Sequence, residues 1–391
     1  MAHRYMETHP WITFRFDPAH DMTSMRLGEA FSKCQHLSGT PLQPGLADDL
    51  AKVYLAKGVN ATTAIEGNTL SEDEVQGILE GDRQLPASQE YLQQEVENVR
   101  DVLQRVHDDA FGGVPFRLTP EWLKLQNRGI LDGIACEDHV VPGEFTSKTL
   151  LVGSVYRGAP PADVPYLVDR LCDWINALID GSADQSADVR FVNAFTAAVL
   201  GHLYIAWIHP FGDGNGRTAR ALECAILANS GLVPWVSANL LSNHYNRTRS
   251  RYYQRLDAAS RANDVRGFVA YAAAGFVDML REQIAFVQQM QRRVAWINYV
   301  HERFQNESHG DASHRRRALV LALPEGRFTP RPALRRLTAE LAEMYAQRED
   351  KTISHDLNRL RYLGLVTLAG RQGVKPRTAL MDAFMPVNHR P

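Results

Sequence analysis

The chain is poor in the features that mark many simple protein classes. Its 391 residues hold only four cysteines, Cys34, Cys136, Cys172 and Cys224, and no two form a Cys-x-x-Cys pair. This excludes a disulfide-stapled scaffold and a zinc ribbon and fits reduced thiols in a core. Long hydrophobic runs are missing: no apolar stretch reaches membrane-span length, and residues 1–10 lack a signal-peptide centre. The expectation is a cytoplasmic protein with no membrane partner. A surplus of charge is missing too. Lys and Arg number 43 against 45 Asp and Glu, for a formal net charge of −2, which argues against nucleic-acid binding by the surface as a whole. What the chain does have is length for a sizeable core and more than one domain, with helical periodicity along much of it.

One segment concentrates the chemistry: His209-Pro210-Phe211-Gly212-Asp213-Gly214-Asn215-Gly216-Arg217-Thr218-Ala219-Arg220. Apolar residues recur at helical spacing on both sides, so it reads as a loop between two helices, the second starting near Asn215 or Gly216. Glycines let the backbone turn and present N–H groups, and a helix N-terminus favours anions. Asp213 can hold a hard divalent cation among phosphate oxygens. Arg217 and Arg220, three apart, share a helix face and suit a phosphate clamp. His209 stands at the rim as a candidate general base.

The segment resembles, without a departure, the Fic family motif His-Pro-Phe-x-(Asp/Glu)-Gly-Asn-Gly-Arg-x-x-Arg. The resemblance covers residues 45–285 and implies a mainly α-helical enzyme that moves AMP from ATP to a protein hydroxyl. His209 would deprotonate a Ser, Thr or Tyr of a target or of the chain itself. Asp213 would bind Mg²⁺, with Mn²⁺ as the substitute, bridging the α- and β-phosphates. Gly212, Asn215 and the Gly214–Gly216 backbone would hold phosphates, Arg217 the β/γ end and Arg220 the γ-phosphate.

A second segment, Thr62-Thr63-Ala64-Ile65-Glu66-Gly67-Asn68, closes a helix that begins near Pro44 or Leu46, and Ser71-Glu72-Asp73-Glu74 has the form of a capping box for the next helix. An acid at a helix C-terminus conflicts mildly with the dipole, which points to a cationic partner elsewhere. The segment resembles the Fic inhibitory motif (Ser/Thr)-x-x-x-Glu-(Gly/Asn), which implies a salt bridge from Glu66 to Arg220 that blocks productive ATP binding.

Residues 141–145, with Gly143, Glu144 and Phe145, and residues 150–153 read as two extended pieces around a polar turn. In Fic proteins a target-positioning β-hairpin flap occupies this place. Two departures, Thr146 where Arg is frequent and Asn127 where His is frequent, bear on target choice rather than on the reaction. Tyr253, after the Arg-rich stretch 246–251, is a candidate near the nucleotide base. His202 reads as a core histidine.

The expected division is an N-terminal arm over 1–45, including a strand-like 11–16; a helical region with the inhibitory motif over 46–110; a catalytic core over 111–302; a linker over 303–314; and a domain over 315–391. In that last part, residues 315–377 carry fourteen Lys and Arg against six Asp and Glu, a locally basic stretch. Its order of helix, helix, capped helix and two-stranded turn resembles a winged helix-turn-helix, with Ser354, His355 and Asn358 toward a DNA major groove and Asp356 beside them as an unfavourable charge. Two other functions are weighed: removal of AMP from the same targets, and a nucleotide-responsive DNA-binding regulator. The family layout also allows a homodimer.

Overall fold

The structure, a computed structural model, describes residues 3–18, 22–152 and 156–382. Residues 383–391 of the C-terminal domain and Gly153 of the expected flap fall outside them. The chain divides into two compact units, residues 1–284 and 285–391.

Apolar residues at helical spacing build the first unit. A single turn, α1 (Tyr5–Thr8), precedes α2 (Met22–Ser38), α3 (Pro44–Ile65), α4 (Glu72–Glu80), α5 (Glu90–Phe111) and α6 (Pro120–Ile130). A hairpin of β1 (Leu151–Val152) and β2 (Tyr156–Arg157) follows. Then come α7 (Val164–Asp180), α8 (Ala187–Ile208), α9 (Asn215–Asn229), α10 (Trp235–Ala238), α11 (Leu240–Arg247), α12 (Arg249–Arg261) and α13 (Val265–Phe304).

Local signals set several helix starts. Ser71 Oγ accepts the Glu74 N–H while the Glu74 carboxylate takes the Ser71 N–H, a complete capping box. Thr119 caps α6, with Pro120 in the first helical position, where its missing N–H costs nothing. Helix α8 corrects the expectation that no apolar stretch reaches membrane-span length: it would pass for a membrane span by length and composition, yet 83% of its most apolar stretch is buried inside the fold. It is the core helix, packed between α7 and α9.

Residues 11–16 form no strand. They run as an arm: the Phe14 N–H donates to the Tyr204 hydroxyl at 3.0 Å, and His9 Nε2 lies 2.8 Å from the Arg157 carbonyl on β2. The arm thus braces the hairpin.

The second unit comprises the end of α13, α14 (Asp311–Ala322), a 3-10 turn at Arg331–Arg336, α15 (Ala339–Tyr345), α16 (Asp350–Tyr362) and an antiparallel pair, β3 (Val366–Ala369) and β4 (Gly373–Pro376). Thr329 bridges Val374 on the outer side of β4. A separate core gathers Trp296, Leu319, Leu334, Leu357 and Val374. The division between units falls inside α13 and not in the expected linker 303–314, because α13 supplies Phe276 and Leu280 to one core and Trp296 and Val300 to the other. Asp356 corrects another expectation. It is fully buried, accepts hydrogen bonds from Arg315, Arg316 and Tyr345, and puts no charge on the α16 surface.

Candidate functional site

The 209–220 loop joins α8 to α9. His209 ends α8 in the left-handed region at φ 53°, a turn that swings its imidazole off the helix axis. Gly214, at φ 76°, makes the next reversal and is the N-cap of α9. A Cβ there would lie 2.9 Å from Asn127 Nδ2, so the position has neither the backbone freedom nor the room for a side chain. Asn215 is the first residue of α9. Its amide is spent on the loop: Oδ1 accepts the Phe211 N–H at 2.9 Å and Nδ2 donates to the Phe211 carbonyl at 2.7 Å. The side chain therefore shapes the turn instead of reaching outward.

Buried Asn127, on α6, is the residue whose role the sequence hid. Its Nδ2 donates to the Asp213 carbonyl at 2.8 Å, and its Oδ1 accepts the Gly143 N–H at 3.0 Å. It ties the loop to the segment before the hairpin. That segment also departs from expectation. Among the described residues, 141–145 do not pair with 150–152. Phe145 instead bridges Phe211, the Thr146 N–H donates to the Pro210 carbonyl at 2.8 Å, and Glu144 lies 3.0 Å from Lys124 of α6. The hairpin forms one step later, where Leu151 and Val152 pair with Arg157 and Tyr156, so Tyr156 and Arg157 belong to a strand and not to a loop. Gly143, Glu144 and Phe145 are thus its footing, and Leu151 is its exposed edge.

The two arginines are nearly inaccessible. The Arg220 side chain, 1% exposed, donates through Nη2 to Glu66 Oε1 at 2.6 Å and to the Thr62 carbonyl at 3.0 Å. Its Nε and Nη1 are buried without partners. Glu66, at the C-cap of α3, has a third of its side chain exposed. Its carboxylate lies against the first turn of α9, and any Cβ at Gly216 would collide with it. An anion thus already sits where the helix dipole and the guanidinium converge. Burial pushes the Glu66 carboxyl up, but Arg220, with Arg217 and His209 adding to it, more than offsets this and holds it below its ordinary range. Arg249 and Tyr253 both donate to the Ile65 carbonyl, the Tyr253 contact being 3.5 Å long, so they fasten the end of α3 beside Glu66. Tyr253 is accordingly placed against the inhibitory segment.

Arg217 has Nη1 3.3 Å from Glu95 of α5 and Nη2 3.4 Å from Asp213. Asp213 is more than half exposed, and one of its oxygens accepts the Gly214 N–H at 2.6 Å. Among the described residues, no group of three or more His, Cys, Asp or Glu could cage a metal. A single outward carboxylate suits a hard cation that takes its other ligands from water and phosphate oxygens.

Burial lowers the His209 pKa from its ordinary value. The Ala206 carbonyl and the Glu66 and Asp213 carboxylates counter that only in part, so the imidazole is neutral at pH 7. His202 is a core residue as expected: Nε2 lies 2.8 Å from the Tyr252 hydroxyl and Nδ1 3.2 Å from Glu223, all fully enclosed. Glu95 was missed, although a signal existed. It interrupts the apolar stripe of α5 formed by Leu92, Val96 and Val99.

Residues 117–227 match the model of the family described as Fic/DOC. A relative from Caenorhabditis briggsae named protein adenylyltransferase fic-1 is 29% identical over 212 residues, 54% of this chain and 38% of that protein. The chain thus spans about two fifths of the length of that relative. The structure of a Fic family protein from Desulfovibrio desulfuricans G20 superposes with a TM-score of 0.57 at 20% identity, covering 90% of this chain and 93% of that one. A Fic domain containing signaling protein from Bacteroides thetaiotaomicron VPI-5482 superposes at 0.52 and 23% identity, covering 66% and 95%. These likenesses are of fold; the family model and the curated relative add a sequence likeness, which for the family model lies at residues 117–227.

Proposed function

We propose that this chain transfers AMP from ATP to a hydroxyl side chain of a protein, its own included, and that Glu66 inhibits the reaction. The observation that carries the reading is the Glu66 carboxylate on Arg220 and on the first turn of α9, an internal anion on ground built for a phosphate. The name of the nematode relative supports the reaction type. The target oxygen attacks the α-phosphorus, the bond to the β-phosphate oxygen breaks, and pyrophosphate leaves. Neutral His209 accepts the hydroxyl proton as attack proceeds. Arg217 and Arg220 take up charge on the β- and γ-phosphates, and the α9 N-terminus holds phosphate oxygens without reorganisation. Asp213 is the residue that would hold Mg²⁺, which when bound neutralises phosphate charge and fixes the geometry of the triphosphate. The exposed Leu151 edge offers a target segment strand-like pairing that is tolerant of its sequence. The setting proposed is the cytoplasm, where ATP is available, with a homodimer as the assembly to be sought by light scattering.

Intact-mass measurement of the parent and of Glu66→Gly after incubation with ATP and Mg²⁺, with a candidate target mixture present, tests this. An AMP-sized adduct stronger in Glu66→Gly and lost when His209→Ala is added is expected. An adduct that persists at the same rate in His209→Ala would remove His209 as the base.

A second activity has its own observation. Helix α16 exposes Lys351, His355 and Asn358 on one face, while its interior acid, Asp356, is buried and neutralised. We propose that residues 315–382 are a winged helix-turn-helix that lays this face against duplex DNA. A mobility shift of the full chain on mixed-sequence duplex should weaken steeply with salt and weaken further in Lys351→Glu. No retention at low salt would turn the surface over to protein docking.

A further inference from the structure

We propose that Glu95 is the positioning residue for Arg217 and that Asn68 joins it to the inhibitory segment. The site then receives that segment by two routes instead of one. The proposal rests on the nucleotide-binding reading above and deepens it.

The geometry is a chain of three side chains. Glu95 Oε1 lies 3.3 Å from Arg217 Nη1, and Oε2 accepts a hydrogen bond from Asn68 Nδ2 at 2.9 Å. Asn68 is itself fixed, donating also to the Leu92 carbonyl and accepting the Leu70 N–H. It stands two residues after Glu66, so one end of the chain is the inhibitory segment and the other is the motif arginine. The Glu95 side chain is 19% exposed and that of Arg217 is 5% exposed. A carboxylate so enclosed, on the core-facing side of a helix packed against α9, requires a cationic partner, and Arg217 is the one beside it.

The two acids on the arginine differ in setting, not in distance: Nη1 meets enclosed Glu95 at 3.3 Å, Nη2 meets exposed Asp213 at 3.4 Å, and Nε is buried with no partner. An enclosed carboxylate on Nη1 fixes the plane of the guanidinium, and a ligand that draws Asp213 away meets N–H groups already oriented to bind phosphate oxygens in pairs. Glu95 and Glu66 therefore act in opposite directions. Glu66 sits on the phosphate side of Arg220 and competes with the ligand. Glu95 grips Arg217 from α5, and through Asn68 it keeps that grip in register with the end of α3. Movement of the segment that frees Arg220 is then also felt at Arg217.

Glu95→Gln keeps the volume and an oxygen for Asn68 but removes the charge that holds Arg217. Binding of ATP, ADP and AMP with Mg²⁺ is measured by titration calorimetry in two backgrounds, the parent and Glu66→Gly. The proposal expects Glu95→Gln to weaken ATP and ADP binding on the order of tenfold in both backgrounds and to leave AMP binding unchanged, since AMP lacks the phosphates that Arg217 would reach. Glu95→Asp, which keeps the charge on a shorter stem, should restore part of the loss. An equal loss for all three nucleotides would mean general damage to the fold and would overturn the proposal. Tighter ATP binding in Glu95→Gln would also overturn it, making Glu95 a second competing anion. Unchanged binding where the parent does bind ATP would defeat the role of Glu95 alone. Absence of ATP binding in the parent and in Glu66→Gly alike would instead defeat the nucleotide reading, and this proposal with it.

Discussion

Replacing Glu66 with glycine should tighten MgATP binding about tenfold. The contact removed is a charge-assisted hydrogen bond of 2.6 Å between Glu66 and Arg220, a type that contributes about 1.5–3 kcal/mol net. Its two ends differ in environment. Arg220 is enclosed, but a third of the Glu66 side chain meets water, which screens the pair and favours the lower figure of about 1.5 kcal/mol. A phosphate that must displace Glu66 forgoes that amount, and deleting the competitor returns about 1.5 kcal/mol to the ligand, a factor of about ten in Kd. The same change should weaken the nucleotide-free protein. Arg220 would keep only the Thr62 carbonyl, with two guanidinium nitrogens already unpartnered, and a buried cation stripped of its acid costs on the order of 3 kcal/mol. Titration calorimetry reads the first effect. Thermal melting with and without MgATP reads the second, the melting temperature falling without nucleotide and recovering with it. Unchanged affinity together with an unchanged melting temperature would refute the reasoning. Tighter binding without destabilisation would show that Glu66 excludes ligand by bulk and not by charge.

Other consequences are open to direct measurement. His209 is held below the ordinary histidine pKa by burial, so the transfer rate should be flat through neutral pH and fall only below about 6.5; an acid limb centred above pH 7 would contradict this. The stability effect has the matching sign. Below about pH 6.5 the unfolded chain binds the proton that folded His209 refuses, so denaturant midpoints should fall toward acid, and fall less in His209→Ala. Asn127→Ala removes the link between the Asp213 carbonyl and the Gly143 N–H. It should cost about 1–3 kcal/mol in urea unfolding and speed amide exchange at Gly143; exchange left unchanged there would deny that Asn127 couples the two segments.

The helices and the turn at 209–220 were legible in the sequence because each rests on short-range physics. Thr119-Pro120 and Ser71–Glu74 carry their own capping chemistry, and the glycines of 212–216 need no distant partner to make a turn. What was not legible depends on residues far apart in the chain. That Phe211 takes both ends of the Asn215 amide is not visible in the motif. The hairpin register was misread because Phe145 has an aromatic partner in Phe211, and a strand-like pattern does not say which strand it will join. Asp356 counted as a surface charge because its neutralising arginines lie some 40 residues upstream. The polar stretch near 306–314 looked like a boundary by composition, but α13 had already crossed from one core to the other before it.

The separation of Glu66 from Arg220 by 154 residues also has a direction. Synthesis runs from the N-terminus, and segments begin to fold in the order in which they leave the ribosome. Helix α3 and its terminal acid are therefore synthesised before the 209–220 loop that Glu66 contacts through Arg220. On the proposed function, the inhibitory acid is translated before the loop that it would restrain, and no finished loop leaves the ribosome without it.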